Sequence, residues 1–262
     1  MGERRHLGDL LDEERAVLGA RVSTTDPAIV EVYGGLGLDF AWIDLEHTGR
    51  SPYDSRYLEE LTRAADASGI DLLVRLPSGE PPVVRKVLDA GVKTILIPRI
   101  ESPSDVRRAV RASRFVYEDE PGTYGGGAGR DSSWGDVSTV DPSDHDETVS
   151  VGCMIETKSA VDNVDEVVAV PGLDFAFVGP ADLSISLGHS LEKDHPDVRR
   201  AMEKARDACL DAGVTAGWVT DDTSDAESAI EAGYRLLRIG DEIASVRTVL
   251  GSRYEKLRAN SD

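Results

Sequence analysis

The stretch LDFAWIDLEHTGRSPYDSRYLEELTRAADASGIDLLVRL (38–76) contains one complete strand–helix–strand unit. Its first apolar run, at 38–44, is short and bounded by polar residues, which is typical of a strand buried on both faces. The segment 55–69 places its leucines on one helical face and ends in a glycine that suits a left-handed C-cap. The run at 71–76 is again short and apolar. The stretch therefore predicts two parallel strands joined by a helix.

The same alternation recurs along the whole chain. Short apolar runs, each bounded by Gly, Pro or Asp, predict eight strands: AVLGARV (16–22), LDFAWID (38–44), DLLVRL (71–76), KTILIP (93–98), VGCMIE (151–156), LDFAFVG (173–179), VTAGWV (214–219) and YRLLRIG (234–240). Amphipathic helical patterns lie between most of them. Eight such units in 262 residues predict an α/β fold, a (β/α)8 TIM barrel formed as a single domain by residues 1–262.

An open doubly wound sheet is the alternative fold. It would normally carry a glycine-rich phosphate-binding turn after its first strand, but ARVSTTDPAI (20–29) contains no glycine. Glycines cluster instead at 122–129, where they do not match GxGxxG and follow no strand. They belong to a long polar segment at about 116–150, which we interpret as a functional or disordered loop.

The composition limits the partners and the compartment. With a formal net charge of −20, the chain is a poor candidate for binding nucleic acid or an anionic membrane surface. The acidic residues are spread along the chain, which favours a halophilic protein over an ordinary acidic enzyme. No signal peptide and no membrane-spanning run is recognisable, so we expect a cytoplasmic protein. Cys153 and Cys209 lie in apolar stretches and are expected to be buried.

Charged side chains follow four of the expected strands at their carboxyl ends, where barrel enzymes carry their active sites. They are Asp44, Glu46 and His47 after the second run, Arg75 in the third, Glu156 after the fifth and Asp182 after the sixth. Oxygen ligands without paired Cys or His favour Mg²⁺ or Mn²⁺. Taken singly, each side chain could instead cap a helix or join a salt bridge, and only the joint pattern predicts a metal site.

The residues at these strand ends resemble the HpcH/HpaI class II pyruvate aldolases. The segments that carry the resemblance are LDFAWIDLEHTG (38–49), VRLP (74–77), VRKVLDAGVKTILIP (84–98), MIET (154–157) and DFAFVGPADLSISLG (174–188). The resemblance covers residues 15–245 approximately. It implies a metal-dependent barrel that cleaves a 2-keto-3-deoxy or 4-hydroxy-2-keto acid, such as a sugar acid, to pyruvate and an aldehyde.

The resemblance also implies roles for individual residues. The metal ligands fall on Glu156 and Asp182, with Mg²⁺ or Mn²⁺ as the cation and Co²⁺ as a further candidate. Arg75 would stabilise the pyruvate enolate, and His47 would take part in proton transfer. The backbone of Ala181 and Asp182, at the start of a helix, would receive the substrate carboxylate.

Three further residues have implied supporting roles. Asp89 corresponds to an aspartate that orients the histidine, yet it ends a helix away from the rim of its own barrel, so it would act on a neighbouring subunit. The plain alternative for Asp89 is a salt bridge at the helix end. Asp44 and Arg130 would not contact the substrate themselves but would interact with the residues that do.

The sequence departs from the family pattern at two positions. Met154 stands where a glutamine is frequent, two residues before Glu156, in a position expected to line the substrate site. Tyr124 stands where an arginine is usual, in a loop that reads PGTYGGG. Both changes bear on substrate identity.

Other functions remain open at this point. A citryl- or malyl-CoA-type acyl-CoA lyase would share the carboxylates and the enolate but would need a basic CoA pocket, and a catalytically silent metabolite-binding barrel would show no turnover. A Schiff-base mechanism would need a strand-end lysine, for which only Lys158 qualifies. The family implies a homo-oligomer, a hexamer or trimer, in which the C-terminal helix at 241–259 is exchanged between subunits or packs on its own barrel.

Overall fold

The computed structural model describes residues 5–136, 141–220 and 222–259. Its parallel strands form a closed barrel in the order β1–β2–β3–β4–β7–β8–β9–β10 and back to β1. The strands are β1 (Val17–Arg21), β2 (Phe40–Asp44), β3 (Asp71–Arg75), β4 (Thr94–Ile97), β7 (Ser150–Ile155), β8 (Phe175–Val178), β9 (Thr215–Val219) and β10 (Leu236–Asp241). All eight strands expected from the apolar runs are present, and the (β/α)8 barrel is confirmed.

Twelve helices accompany the barrel in the described residues, and most of them pack on its outside. They are α1 (Leu7–Leu11), α2 (Pro27–Leu36), α3 (Ser55–Ser68), α4 (Pro81–Asp89), α5 (Pro103–Ala112), α6 (Pro142–Thr148), α7 (Lys158–Asp162), α8 (Val164–Val168), α9 (Pro180–Ser186), α10 (Pro196–Ala212), α11 (Thr223–Glu231) and α12 (Glu242–Ala259). Gly69 ends α3 with a φ of 74°, the left-handed conformation that a glycine adopts without strain. No helix in the described ranges combines the length and the apolar content needed to cross a membrane.

Two apolar cores follow from the alternation of side chains along each strand. One fills the space between the strands and the surrounding helices. The other fills the barrel itself with Val17, Phe40, Trp42, Leu73, Leu96, Met154, Phe175, Phe177 and Leu236, closed at the amino end by Leu7 and Leu10 of α1. Both cysteines are free and buried, as expected.

The segment at about 116–150 connects α5 to β7, so it lies at the amino ends of the strands. It contains a short hairpin of β5 (Val116–Tyr117) and β6 (Glu120–Pro121), followed later by α6. Its residues 137–140 lie outside the described ranges. Because the active site of a barrel enzyme lies at the opposite end, the described part of this segment does not cover the site of its own chain.

Candidate active site

A cavity of about 450 Å³ opens at the carboxyl ends of the strands. Strand alternation directs every second side chain into it. The residues in or directly after strands that line it include Arg21, Trp42, Arg75, Met154, Glu156, Gly179, Trp218, Val219 and Arg238. Loops add His47 and Lys193, and the first turns of α9, α10 and α11 add Ala181, Asp182, Arg199 and Asp225. Six residues that were predicted from the sequence to contact the substrate or the metal therefore meet here: His47, Arg75, Met154, Glu156, Ala181 and Asp182.

Arg75 is held rigidly beneath this cavity by two carboxylates. Its Nε and Nη2 donate to Asp44 at 3.1 and 2.5 Å, and its Nη1 lies 3.0 Å from an oxygen of Glu46. Asp44 is fully buried, and burial alone would raise its pKa, but the hydrogen bonds and charge of Arg75 lower the pKa overall. The pair therefore stays ionised, and the bidentate geometry fixes the plane of the guanidinium.

Glu156 and Asp182 form an acidic cluster at the ends of β7 and β8. Glu156 is buried, and one of its oxygens accepts a hydrogen bond from the Arg99 backbone at 2.7 Å. Burial raises the pKa of Glu156 to about 7, the Arg99 N–H opposes that rise, and the negative charges of Glu46 and Asp182 add to it. The charge of Asp182 thus destabilises the ionised form of Glu156, which a bound cation would relieve.

The space around Glu156 is kept open by a glycine. A Cβ built on Gly179 would lie 2.9 Å from the second carboxylate oxygen of Glu156. Since that oxygen and the half-buried Asp182 carboxylate are hard oxygen donors facing one cavity, the residues fit a divalent cation of the Mg²⁺ or Mn²⁺ type.

The helix α9 begins immediately beside this cluster. It starts at Pro180, with Gly179 as its N-cap, so Asp182 lies in the first turn and is not the N-cap that the sequence offered as the plain alternative. The N–H of Leu183 donates a hydrogen bond to the carbonyl oxygen of Gly179 and so begins the helical pattern. The N–H groups of Ala181 and Asp182 therefore have no carbonyl partner within the helix and lie at its N-terminus. An anionic group of a substrate is stabilised at such a position.

His47 lies at the cavity edge in the loop after β2. Its backbone N–H donates to Asp44 at 3.2 Å, and its Nε2 lies 3.5 Å from Glu46. The side chain is 62% exposed, so it can reach a substrate that enters from solvent. Met154, by contrast, is buried in the barrel core and presents an apolar thioether to the cavity floor.

Asp89 and Arg130 lie elsewhere, at the amino ends of the strands. Asp89 ends α4, where its carboxylate accepts from Tyr124 at 3.2 Å, and the same hydroxyl lies 2.7 Å from Asp131. Burial and the charge of Asp131 raise the pKa of Asp89. Arg130 pairs with Asp66 at 2.7 Å. Neither residue lines the active-site cavity of its own chain, because the connection after a barrel helix returns to the opposite end.

The first and seventh predicted strands contribute more than the sequence suggested. No site residue was predicted on either strand, but Arg21 ends β1 inside the cavity and Trp218 lies on its wall from β9. Arg238 of β10 joins them. The sequence could have revealed both arginines through the alternation of side chains along a strand. Val17 and Gly19 face the barrel interior, so Arg21, two residues further on, also faces it. Leu236 faces the interior as well, and the same alternation places Arg238 on that face.

Other groups that suggest catalysis are explained by packing or caps. Lys158 forms an exposed ion pair with Asp162 and does not line the cavity, which removes the strand-end lysine that a Schiff base needs. His189, His195 and Asp197 lie close enough to share a metal. However, the two imidazole rings stack at 3.5 Å and 18°, so one ion cannot lie in both ring planes, and His195 caps α10.

A parallel barrel with acidic metal-ligand candidates, a fixed arginine and a helix N-terminus in one cavity defines a metal-assisted enzyme that acts on an anionic carbonyl compound. The comparison with family models agrees: residues 19–248 match the HpcH/HpaI aldolase/citrate lyase family. The chain belongs to this family, and it is a carbon–carbon lyase.

Relatives and solved structures extend this result. The chain is 32% identical to a hydroxypyruvate/pyruvate aldolase of Roseobacter denitrificans over 89% of this chain and 90% of the relative. It is 29% identical to a 2-keto-3-deoxy-L-rhamnonate aldolase of Klebsiella pneumoniae, covering 93% of this chain and 90% of the relative. A crystal structure of a family member from Burkholderia cenocepacia superposes with a TM-score of 0.89 at 34% identity, covering 96% of this chain and 98% of that one.

Proposed function

We propose that the protein cleaves a 4-hydroxy-2-keto acid, of the 2-keto-3-deoxy sugar-acid type, to pyruvate and an aldehyde. The single observation that supports this most is the cavity itself. It brings the Glu156–Asp182 cluster, the fixed guanidinium of Arg75 and the open end of α9 around one small volume. All three features can act in a metal-assisted aldol cleavage that leaves a pyruvate enolate.

Glu156 and Asp182 would hold the divalent cation, Mg²⁺ or Mn²⁺ with Co²⁺ as a further candidate. When bound there, the cation supplies Lewis-acid polarisation of the 2-keto group. The N–H groups of Ala181 and Asp182 would receive the substrate carboxylate, and Met154 would exclude water beneath the pyruvyl carbons.

Arg75 and His47 would carry the chemistry. His47 accepts the proton of the 4-hydroxyl, the C3–C4 bond breaks, and the aldehyde leaves. The electron pair stays on the pyruvate fragment as an enolate, whose oxygen Arg75 stabilises, and the enolate becomes pyruvate when it takes up a proton at C3. Asp44 and Glu46 hold Arg75 in place, so the guanidinium needs no reorientation as charge develops.

Asp89 and α12 suggest a homo-oligomer, a hexamer or trimer. No residue of α12 is buried in the chain, and its apolar side chains Val246, Leu250 and Leu257 are between half and mostly exposed. We propose that α12 packs on a neighbouring barrel and that Asp89 orients His47 of a neighbour. Mixing Glu156→Gln and Asp89→Asn chains should then restore activity in mixed oligomers, whereas sites confined to one chain would stay inactive.

The test of the function is pyruvate release from a panel of 2-keto-3-deoxy sugar acids, at high salt with Mg²⁺, Mn²⁺ or Co²⁺. Activity should vanish with EDTA and return with metal, and Glu156→Gln should lower it by about a thousandfold. Glu166→Gln is the matched control, since Glu166 is exposed on α8. Pyruvate release that survives both EDTA and Glu156→Gln would contradict the proposal. The acyl-CoA lyase and the silent barrel are not favoured by the relatives found.

A further inference from the structure

The helix α12 is joined to the barrel at a bulge in β10. Gly19 of β1 pairs with Arg238 of β10, and Arg21 pairs with Asp241. Between these pairs β10 therefore has one residue more than β1, which is a β-bulge. Gly240 lies in this stretch with a φ of 155°, a conformation that favours glycine. Because a bulge bends its strand, β10 changes direction directly before α12 begins.

Glu242, the first residue of α12, accepts hydrogen bonds from the loop between β1 and α2. One carboxylate oxygen accepts from the Thr24 N–H at 2.6 Å and from the Thr24 hydroxyl at 2.7 Å. The other accepts from the Ser23 N–H at 3.0 Å, and the Tyr33 hydroxyl of α2 lies 3.2 Å from it. Burial alone would raise the pKa of Glu242, but the hydrogen bonds from Ser23 and Thr24 lower the pKa overall. The carboxylate is therefore ionised near neutral pH and can accept from all of these donors.

The loop that Glu242 holds contains a strained residue. Thr25 is buried and has a φ of 58°, a left-handed conformation that is costly for a β-branched side chain. Such a conformation persists only where the surrounding structure imposes it. Ser23 and Thr24 directly precede this residue, so their hydrogen bonds to Glu242 supply part of that constraint.

The same loop begins at the wall of the active-site cavity. Arg21 ends β1 and lines the cavity. The Tyr33 hydroxyl, which lies beside Glu242, also donates to the Arg21 carbonyl oxygen at 2.9 Å. The Arg21 guanidinium lies 3.9 Å from Asp44, the residue that fixes Arg75. A displacement of Glu242 would therefore disturb the strand end next to the Asp44–Arg75 pair.

The direction of α12 depends on groups outside the helix. None of its residues is buried in the chain, and apolar side chains such as Leu250 are exposed. Packing on a neighbouring barrel, as proposed above, would fix the direction of the helix. Glu242 is the residue at which the base of this helix meets the loop that borders the active site.

We infer that Glu242 is a positioning residue, which holds the loop at 22–25 in its strained conformation and makes the cavity wall at Arg21 depend on the docking of α12. The inference rests on the proposed function, which supplies both the reaction and the neighbouring copy. Glu242 itself does not line the cavity, so its effect passes through Arg21 to the Asp44–Arg75 pair. Because coupling between two sites is reciprocal, docking of α12 stabilises the loop, and an ordered loop favours docking.

The experiment is a double-mutant cycle followed by hydrogen exchange at the Ser23 and Thr24 amides, which requires no turnover. Glu242→Gln removes one acceptor oxygen and places an amide N–H group against the donors of the loop. Leu250→Glu puts a charge on the exposed apolar face of α12, about two turns from Glu242, and should prevent docking. Each variant should speed exchange at the two amides by about 10-fold. The double variant should exchange no faster than Glu242→Gln alone, because both changes break the same link.

Exchange of the pyruvate methyl protons with D₂O distinguishes a positioning role from a purely structural one. Glu242→Gln should lower kcat for this exchange by about tenfold and change KM by less than about twofold, because Arg75 acts on the charge that develops in the transition state. Glu242→Asp keeps the charge and should recover part of both the loop protection and kcat. The matched control is Glu255→Gln, an exposed residue of the same helix, which should change neither.

Sedimentation at the same protein concentration gives the mass of each variant and completes the test. Wild-type loop exchange and kcat in Glu242→Gln, or a double variant whose effects are the sum of the single ones, would overturn the inference. A wild type that is monomeric at every concentration would overturn the docking of α12 and the coupling with it. A wild type that assembles but exchanges no pyruvate protons would overturn the proposed function, and the loop amides would still decide the role of Glu242.

Discussion

At the scale of single residues, the Asp44–Arg75 pair is the part of the site most dependent on burial. Asp44 is fully buried and Arg75 nearly so, and they form two hydrogen bonds. Removing the Asp44 charge would leave the buried Arg75 with its contact to Glu46 but without its two hydrogen bonds to a carboxylate.

Asp44→Asn is therefore expected to lower the free energy of unfolding by about 3 kcal/mol and to lower kcat, because Arg75 loses its orientation. Urea unfolding at fixed salt measures the first effect. Glu60→Gln, which breaks an exposed pair with Arg56, should change stability by less than about 1 kcal/mol. Equal losses in both variants would contradict this explanation.

Much of the site could be predicted residue by residue, because a carboxyl-terminal strand end is recognisable in the sequence. Glu156, Asp182 and Arg75 were found in this way. Arg21 was missed because it lies within an apolar run, where only the alternation of side chains shows that it faces the barrel. The distance of Asp89 from the cavity of its own chain follows from its position at the end of a helix.

At the scale of elements, the packing of β7 against β8 depends on a small residue opposite a large one. A methyl group on Gly152 would overlap the ring of Phe175, which is fully buried in the barrel core. Gly152→Ala should lower the free energy of unfolding by about 1–3 kcal/mol. The control is Gly126→Ala, because Gly126 is exposed and has open space around the new methyl group. This control should change the free energy of unfolding by less than about 0.5 kcal/mol. Thermal or urea unfolding compares them, and an unchanged Gly152→Ala would show that the strands can separate freely.

The helix α6 is attached to the barrel through His145. This side chain stacks on Tyr124 at 4.3 Å, and its Nε2 lies 3.2 Å from the Ser113 carbonyl oxygen, to which it donates. Burial and the charge of Lys93 lower the pKa of His145 to about 4.

The unfolded chain takes up this proton near pH 6.5, whereas the folded chain does so near pH 4. The contribution of His145 to stability is thus present above pH 6.5 and is lost as the pH falls from 6.5 towards 4, by up to about 3 kcal/mol. His145→Gln keeps a donor but not the titration. Its stability should fall less steeply than that of the wild type in this window, and parallel curves would contradict the assignment.

The elements of the barrel were predictable because each strand is a short apolar run with its own boundary signals. The hairpin β5–β6 and α6 were not, since they are short, polar and held by tertiary contacts such as the hydrogen bonds from Phe115 and Val116 to Asp146. Local propensity alone does not specify structures of this kind.

At the scale of the whole molecule, the net charge of −20 makes stability dependent on salt. We expect the free energy of unfolding to rise with KCl and to level off near 1 M, where the Debye length is about 3 Å. Urea titrations at increasing KCl measure this, with sucrose as a neutral control. A free energy that is flat or falls with KCl would contradict adaptation to high salt.

We propose that this barrel forms a pyruvate enolate with a divalent cation held by Glu156 and Asp182. The most direct test of this proposal is the exchange of pyruvate methyl protons with D₂O, followed by proton NMR, because it requires no knowledge of the aldehyde. Exchange should occur with Mg²⁺ or Mn²⁺ and should stop with EDTA and in Glu156→Gln and Arg75→Met. Exchange that continues without metal, or that is absent from the folded, metal-loaded wild type, would contradict it.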